Sequence, residues 1–102
     1  MSPTQRSLKL LRDRGWTACV VEKYNSFARV RQDAFGFGDI LAFHPILGIM
    51  LVQTTTRTNL STRKKKVVAL RDACEWASAG GRILLHGWKG NEVKEITLWE
   101  RS

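Results

Sequence analysis

Residues 38 to 55 restrict this chain more than any other stretch. Two short apolar runs, Gly38-Asp39-Ile40-Leu41-Ala42-Phe43 and Ile49-Met50-Leu51-Val52-Gln53-Thr54-Thr55, flank the turn residues His44-Pro45-Ile46-Leu47-Gly48. Runs of this length around Pro and Gly predict a β-hairpin. A turn centred near Ile46 sets Asp39 opposite Gln53 and Leu41 opposite Leu51, because paired residue numbers in an antiparallel ladder sum to a constant. Asp39 and Gln53 then share a face, with Cβ atoms roughly 4.5–5.5 Å apart. Two oxygen-bearing side chains at that spacing suit one hard divalent cation. Thr55, two residues beyond Gln53, projects from the same face. The plainer alternative is that Asp39 merely starts one strand and Gln53 ends the other.

A chain of 102 residues holds one domain with a single core. Seventeen Lys and Arg against nine Asp and Glu leave a net charge of +8. Such a field attracts polyanions, so nucleic acid is the first partner to consider. A membrane partner is not expected, because no long amphipathic basic helix is present and the longest apolar run, Ile46 to Val52, is far short of a span. With no apolar signal core near residue 1, a cytoplasmic location is expected. Cys19 and Cys74 lie in apolar segments without metal-ligand spacing, which predicts reduced core thiols and no zinc site.

Along the chain, Ser2 caps a first helix with Pro3 in its first turn and Gln5 completing a capping box. Leu8 and Leu11 form its buried stripe with Thr4, and Gly15 stops it. Trp16 to Tyr24 reads as the first strand, carrying Glu22 near its end as a second acidic candidate. Residues 25–37 read as a connection that mixes Arg29 and Arg31 with Phe27, Phe35 and Phe37, a combination suited to phosphate and bases, although core packing is the commoner use of phenylalanine. Asp33, six residues before Asp39, is within reach of the same site.

After the hairpin, Arg57 lies in a polar stretch, and Ser61 or Thr62 caps a second helix expected to run to about Ala79. Its buried stripe is Val67, Leu70, Ala73, Cys74 and Ala77. Arg63, Lys64, Lys65 and Lys66 fall in its first turn, where positive charge opposes the helix dipole and suggests a use beyond folding. Arg63 and Lys66 flank the buried stripe, whereas Lys65 points away with Asp72 and Trp76. Two strands, Arg82 to Trp88 and Glu95 to Trp99, turn at Gly90-Asn91. The expected order is α-β-β-β-α-β-β: an α/β domain over residues 1–102 with a mixed sheet flanked by helices. Trp76, Trp88 and Trp99 are candidates for a dimer surface.

This order, with Asp39 opening one strand and Gln53-Thr54-Thr55 ending the next, resembles the PD-(D/E)XK nuclease superfamily, and within it the small Holliday-junction resolvases and related phage-type endonucleases. The resemblance implies a restriction-endonuclease-like fold, a homodimer acting on branched or paired DNA strands, and Mg²⁺ or Mn²⁺ as cofactor. It implies no small-molecule organic cofactor. By position, Asp39 is the metal-ligating aspartate, Gln53 stands where Glu or Asp is usual, and Thr55 stands where the family has lysine. Gly38 replaces the family's proline. Glu22 or Asp33 then supplies the missing negative charge, and Lys66 or Arg63 the missing cation. Arg29, Arg31, Arg57, Arg63, Lys64, Lys65 and Lys66 are the expected DNA contacts.

Two functions follow as expectations. The first is metal-dependent hydrolysis of a DNA phosphodiester, with Asp39, Gln53, Glu22, Thr55 and Lys66 at the reacting centre. The second is a catalytically silent basic domain that binds nucleic acid. A serine or cysteine hydrolase is disfavoured, because His44 reads as a turn residue, His86 as a sheet residue, and no nucleophile elbow is present.

Overall fold

In the computed structural model, which describes residues 1–99, the expected hairpin forms the middle of an α/β fold. Strands β4 (Ile40–His44) and β5 (Gly48–Thr56) pair antiparallel, with Ile40 opposite Val52 and Leu41 opposite Leu51. This is the register expected from a turn centred on Ile46. His44 holds that turn, its Nδ1 accepting from the backbone N–H groups of Ile46 and Leu47.

The remaining elements build outward from these two strands. Strand β1 (Thr17–Val20) adds to β4, and β6 (Arg82–Lys89) runs parallel to β5 and antiparallel to β7 (Glu92–Leu98). The result is a mixed five-stranded sheet in the order β1-β4-β5-β6-β7. Helix α1 (Pro3–Asp13) covers one face, where Leu8 and Leu11 pack with Ala18, Ile40, Ala42, Met50 and Val52. Helices α2 (Leu60–Val68) and α3 (Arg71–Ser78) cover part of the other, where Leu60, Val67 and Ala73 meet Leu51, Ile83 and Leu85. Alternation along β5 assigns Met50 and Val52 to the first core and Leu51 to the second, the behaviour of a strand buried on both faces.

Helix ends follow their local signals where those are strong. Ser2 accepts from the Gln5 backbone N–H at 3.2 Å, and Gly15 follows α1 at φ +94°. A backbone in that region is open to glycine at little cost.

Four expectations are corrected. The stretch 16–24 is not one strand: after Val20 the chain leaves the sheet, and the N–H groups of Val21 and Glu22 both turn to the Asp39 carbonyl, at 2.9 and 3.3 Å. It then forms a separate two-stranded hairpin, β2 (Lys23–Asn25) with β3 (Val30–Gln32), which joins the end of the expected strand to the segment expected to be a connection.

The second helix is broken at Leu70, whose backbone is extended, and this resets the helical phase. Trp76 turns inward in place of Cys74, packs on the second core and donates from Nε1 to the Arg82 carbonyl at 2.8 Å. Gly81 is required beneath it, since a Cβ there would come within 2.2 Å of the indole. Both cysteines are exposed and neither is a core thiol.

Helix α2 also begins earlier than expected, after a 3₁₀ turn over Arg57–Asn59, with no side-chain cap from Ser61 or Thr62. Lys65 and Lys66 therefore occupy its last turn, where positive charge suits the dipole. Of the basic run, only Arg63 remains in the first turn. Of the three phenylalanines in 25–37, only Phe37 is core; Phe27 and Phe35 are exposed.

A buried polar chain joins α1 to β6 and β7. Trp88 Nε1 donates to Ser7 Oγ at 2.8 Å, Ser7 Oγ meets His86 Nδ1 at 2.8 Å, and His86 Nε2 meets Glu95 Oε2 at 3.2 Å. Arg14 completes the chain with two bonds to Glu95, at 2.7 and 2.8 Å. Ser7 and His86 are fully buried, so this serine and histidine are closed to any substrate and serve the fold, while Glu95 at the outer end of the chain is partly exposed. Among the described residues no helix is long and apolar enough to cross a membrane.

Burial lowers the His86 pKa below its ordinary value of 6.5. The folded protein keeps His86 neutral while the unfolded chain takes up a proton, so stability held above that value is lost as the pH falls through and below it. Replacing His86 by Gln removes this dependence. In urea unfolding, wild type exceeds the His86→Gln variant by more at pH 7.5 than at pH 5; a difference that does not change with pH would contradict the neutral buried imidazole.

Candidate metal and phosphate site

Where β5 turns polar, at Gln53 and Thr54, the sheet ends in an open recess of about 560 Å³. Asp39 lies at its floor, 3% exposed. Its Oδ2 accepts from Gln53 Nε2 at 2.9 Å, from the Thr54 backbone N–H at 2.7 Å and from Thr54 Oγ1 at 3.2 Å. Thr54 Oγ1 also lies 2.7 Å from Thr4 Oγ1. With its one hydroxyl proton given to Asp39, Thr54 receives from Thr4, which ties the first turn of α1 to the carboxylate.

Glu22 and Asp33 complete an acidic cluster. One carboxylate oxygen from each of Glu22, Asp33 and Asp39 lies within 4.8 Å of the others. The fold achieves this by hanging the β2–β3 hairpin between Glu22 and Asp33, so both ends of the hairpin return to Asp39. Bridging of Ala34 to Gly38 closes the loop beside Asp33. Gly38 has little room there: a Cβ would come within 2.8 Å of Leu51 Cδ2, and its N–H already donates to the Ala34 carbonyl at 2.8 Å.

Burial, then the neighbouring Asp33 carboxyl, push the Asp39 pKa from 3.8 up to about 7; the Thr54 backbone N–H opposes the shift and the charge of Glu22 adds to it. Three carboxylates at this separation repel one another once ionised, and a hard cation is the group that relieves the repulsion. The donor set is all oxygen, the chemistry of Mg²⁺ and Mn²⁺. It fits such an ion, with Glu22, Asp33 and Asp39 as the charged ligands. Gln53 turns its amide nitrogen to Asp39 and keeps Oε1 free of that bond.

Three cations rim the recess. Arg31 reaches Glu22 at 3.4 Å from β3, and Arg63 and Lys66 line the opposite side from α2. The inner edge of α2 thus bears the two cations expected there. Lys64 and Lys65 are exposed elsewhere on that helix, Arg29 sits at the tip of the β2–β3 hairpin, and Arg57 lies in the turn before α2; none of the four lines the recess. Thr55 is buried and outside the recess as well. Thr54, passed over in the sequence, is the threonine that touches Asp39. Its signal was available only in part, since alternation puts residue 54 on the opposite face and its backbone N–H becomes a ligand of Asp39 only once β4 begins.

A carboxyl whose pKa is raised in the folded state gives stability that is present below its unfolded value, near 3.8, and lost as the pH rises through about 7. Without divalent cations, Asp39→Asn is therefore more stable than wild type at pH 8, by roughly 2–4 kcal/mol, and the difference closes toward pH 4. Adding Mn²⁺ at pH 8 raises the melting temperature of wild type and leaves the variant unmoved. Equal responses to the ion would remove Asp39 from the metal site. No family model matches the chain, and no curated protein or solved structure matches it either.

Proposed function

We propose that the protein is a metal-dependent DNA endonuclease, a degenerate relative of the PD-(D/E)XK nucleases that cleaves phosphodiester bonds in branched or paired strands. One observation carries this reading: three carboxylates converge on one point of an open recess whose rim is Arg31, Arg63 and Lys66. Carboxylates that hold a cation and bases that hold phosphate are the two halves of a phosphoryl-hydrolysing site. The surrounding charge of +8 supports a polyanionic substrate.

The chain's own residues divide the work. Gln53 and Thr54 orient Asp39 through Oδ2 and leave Oδ1 free of those three bonds. Glu22, Asp33 and Asp39 hold Mg²⁺ or Mn²⁺, which when bound acidifies water and offsets charge on the phosphoryl group. Arg31 and Arg63 grip the phosphate oxygens, the guanidinium being matched to them in shape and charge. Lys66, on the rim from α2, takes the part of the family's lysine and stabilises negative charge in the transition state.

Cleavage of supercoiled plasmid and of a four-way junction with Mg²⁺ or Mn²⁺ tests the reading. Wild type nicks, Asp39→Ala does not, and Lys66→Ala is slower by about 10²–10³-fold at saturating DNA. If wild type and Asp39→Ala both bind DNA and neither cuts it, the enzyme reading fails and the silent binding domain replaces it.

The proposed enzyme works as a homodimer. Leu41, Phe43, Ile46, Leu47 and Ile49 are large and exposed around the β4–β5 turn, with Phe43 opposite Ile49. An apolar patch on a chain of like charge is where two copies meet most easily. In sedimentation at micromolar concentration wild type is a dimer and Phe43→Asp a monomer; a monomeric wild type would refute the assignment.

A further inference from the structure

The β2–β3 hairpin stands apart from the five-stranded sheet and pairs only with itself. Its side chains are nonetheless not those of an idle loop. Phe27 at the tip is 100% exposed and Tyr24 65%. Rings left in water add nothing to the core, so their presence calls for a partner outside it. Between Lys23 and Gln32 there are three basic residues, Lys23, Arg29 and Arg31, and no acidic one.

The tip also has a defined shape. Asn25 Oδ1 accepts from the backbone N–H groups of Phe27 and Ala28, at 3.0 and 3.1 Å, and Arg29 follows at φ +54°. Tyr24 lies opposite Arg31, so one face of the hairpin carries a ring and a guanidinium side by side. That same Arg31 lines the acidic recess, and the hairpin springs from Glu22 and returns at Asp33. A strand whose phosphodiester lies in the recess is therefore within reach of Arg31 on the hairpin.

We infer that this hairpin is a stacking arm for unpaired nucleotides, Tyr24 and Phe27 taking bases while Lys23, Arg29 and Arg31 take the adjoining phosphates. The charge of the arm fits a polyanion. Its rings narrow the choice further, because the faces of duplex bases are covered by their own neighbours and only an unstacked base offers a free face to an aromatic side chain. The arm thus selects strands with unpaired residues at the site of cleavage. The inference rests on the nucleic-acid reading above, though not on the catalytic half of it.

The test measures binding of a short labelled single strand, its blunt duplex and phosphatidylserine vesicles in EDTA, with wild type, a Tyr24→Ala/Phe27→Ala double variant and Phe27→Trp. Wild type prefers the single strand. The double variant loses about tenfold or more of that affinity, stays within about twofold on the duplex, and keeps the salt slope, because its phosphate contacts are intact. Phe27→Trp keeps the preference. Both substituted positions are exposed, and an unchanged melting temperature certifies each fold.

Equal losses on both strand types, or no loss on either, would overturn the arm. So would ring-dependent binding to vesicles without a single-strand preference, which would make the hairpin a membrane contact. Cleavage by the same proteins with Mn²⁺ separates the two proposals. A wild type that shows the ring-dependent preference and cuts nothing leaves the arm standing and removes the nuclease; one that cuts with an undiminished strand preference in the double variant does the reverse.

Discussion

A carboxyl group held out of water is the constraint on which the rest of this structure turns. Asp39 starts β4 at the point where the apolar faces of the sheet give way to a recess, and almost all of its surface is covered. An ionised group there is tolerable only if it is hydrogen-bonded or paired. The fold answers with three donors from β5, two of them from a single residue, Thr54. Thr54 in turn connects to Thr4 on α1, and the Asp39 carbonyl takes the N–H groups that end β1. The end of β5, the first turn of α1 and the end of β1 are thereby located relative to one residue. None of these bonds neutralises the charge, and burial, then the Asp33 carboxyl beside it, raise the Asp39 pKa to about 7.

The frame that holds Asp39 in place is the pair of cores on either side of β5. Because β5 lies between an antiparallel and a parallel neighbour and is buried on both faces, it has no freedom to slip. Its polar end, Gln53 to Thr56, is consequently fixed in depth and register. The cations come from a different source. Arg63 and Lys66 ride on α2, which is positioned by Leu60 and Val67 against the second core, and Arg31 rides on the small hairpin. Arg63 and Lys66 thus approach the recess on a support of their own, whereas Arg31 shares the small hairpin that Glu22 and Asp33 flank and pairs with Glu22.

The broken second helix shows how far local propensity extends. An apolar stripe running through Val67, Leu70, Cys74 and Ala77 is a sound helical pattern, but a straight helix would hold Trp76 in solvent. Burying an indole is worth more than the hydrogen bonds lost at Leu70, and Gly81 leaves space for it. The bend exchanges a cysteine for a tryptophan, a trade that depends on a glycine outside the helix and is invisible in the stripe itself. The first strand was misjudged for a related reason. Trp16 to Tyr24 has β-forming residues throughout, yet only β4 is there to pair with it, and the Asp39 carbonyl ends that pairing at Val21.

By itself the sequence determined the hairpin register, the mixed α/β arrangement, the cap of α1, the placing of Gln53 beside Asp39 and the inner-edge position of Arg63 and Lys66. These depend on contacts close in the chain, or on a helical or strand period that admits a single phase. Only the tertiary structure decided that Thr54 and not Thr55 touches Asp39, that Glu22 and Asp33, candidates in the sequence, both come to Asp39, and that Phe27 and Tyr24 stand in water on an arm of their own. Each of those depends on where one element ends and how the next is rotated against it, quantities set by packing between residues far apart in the chain, for which no short run of residues carries a signal.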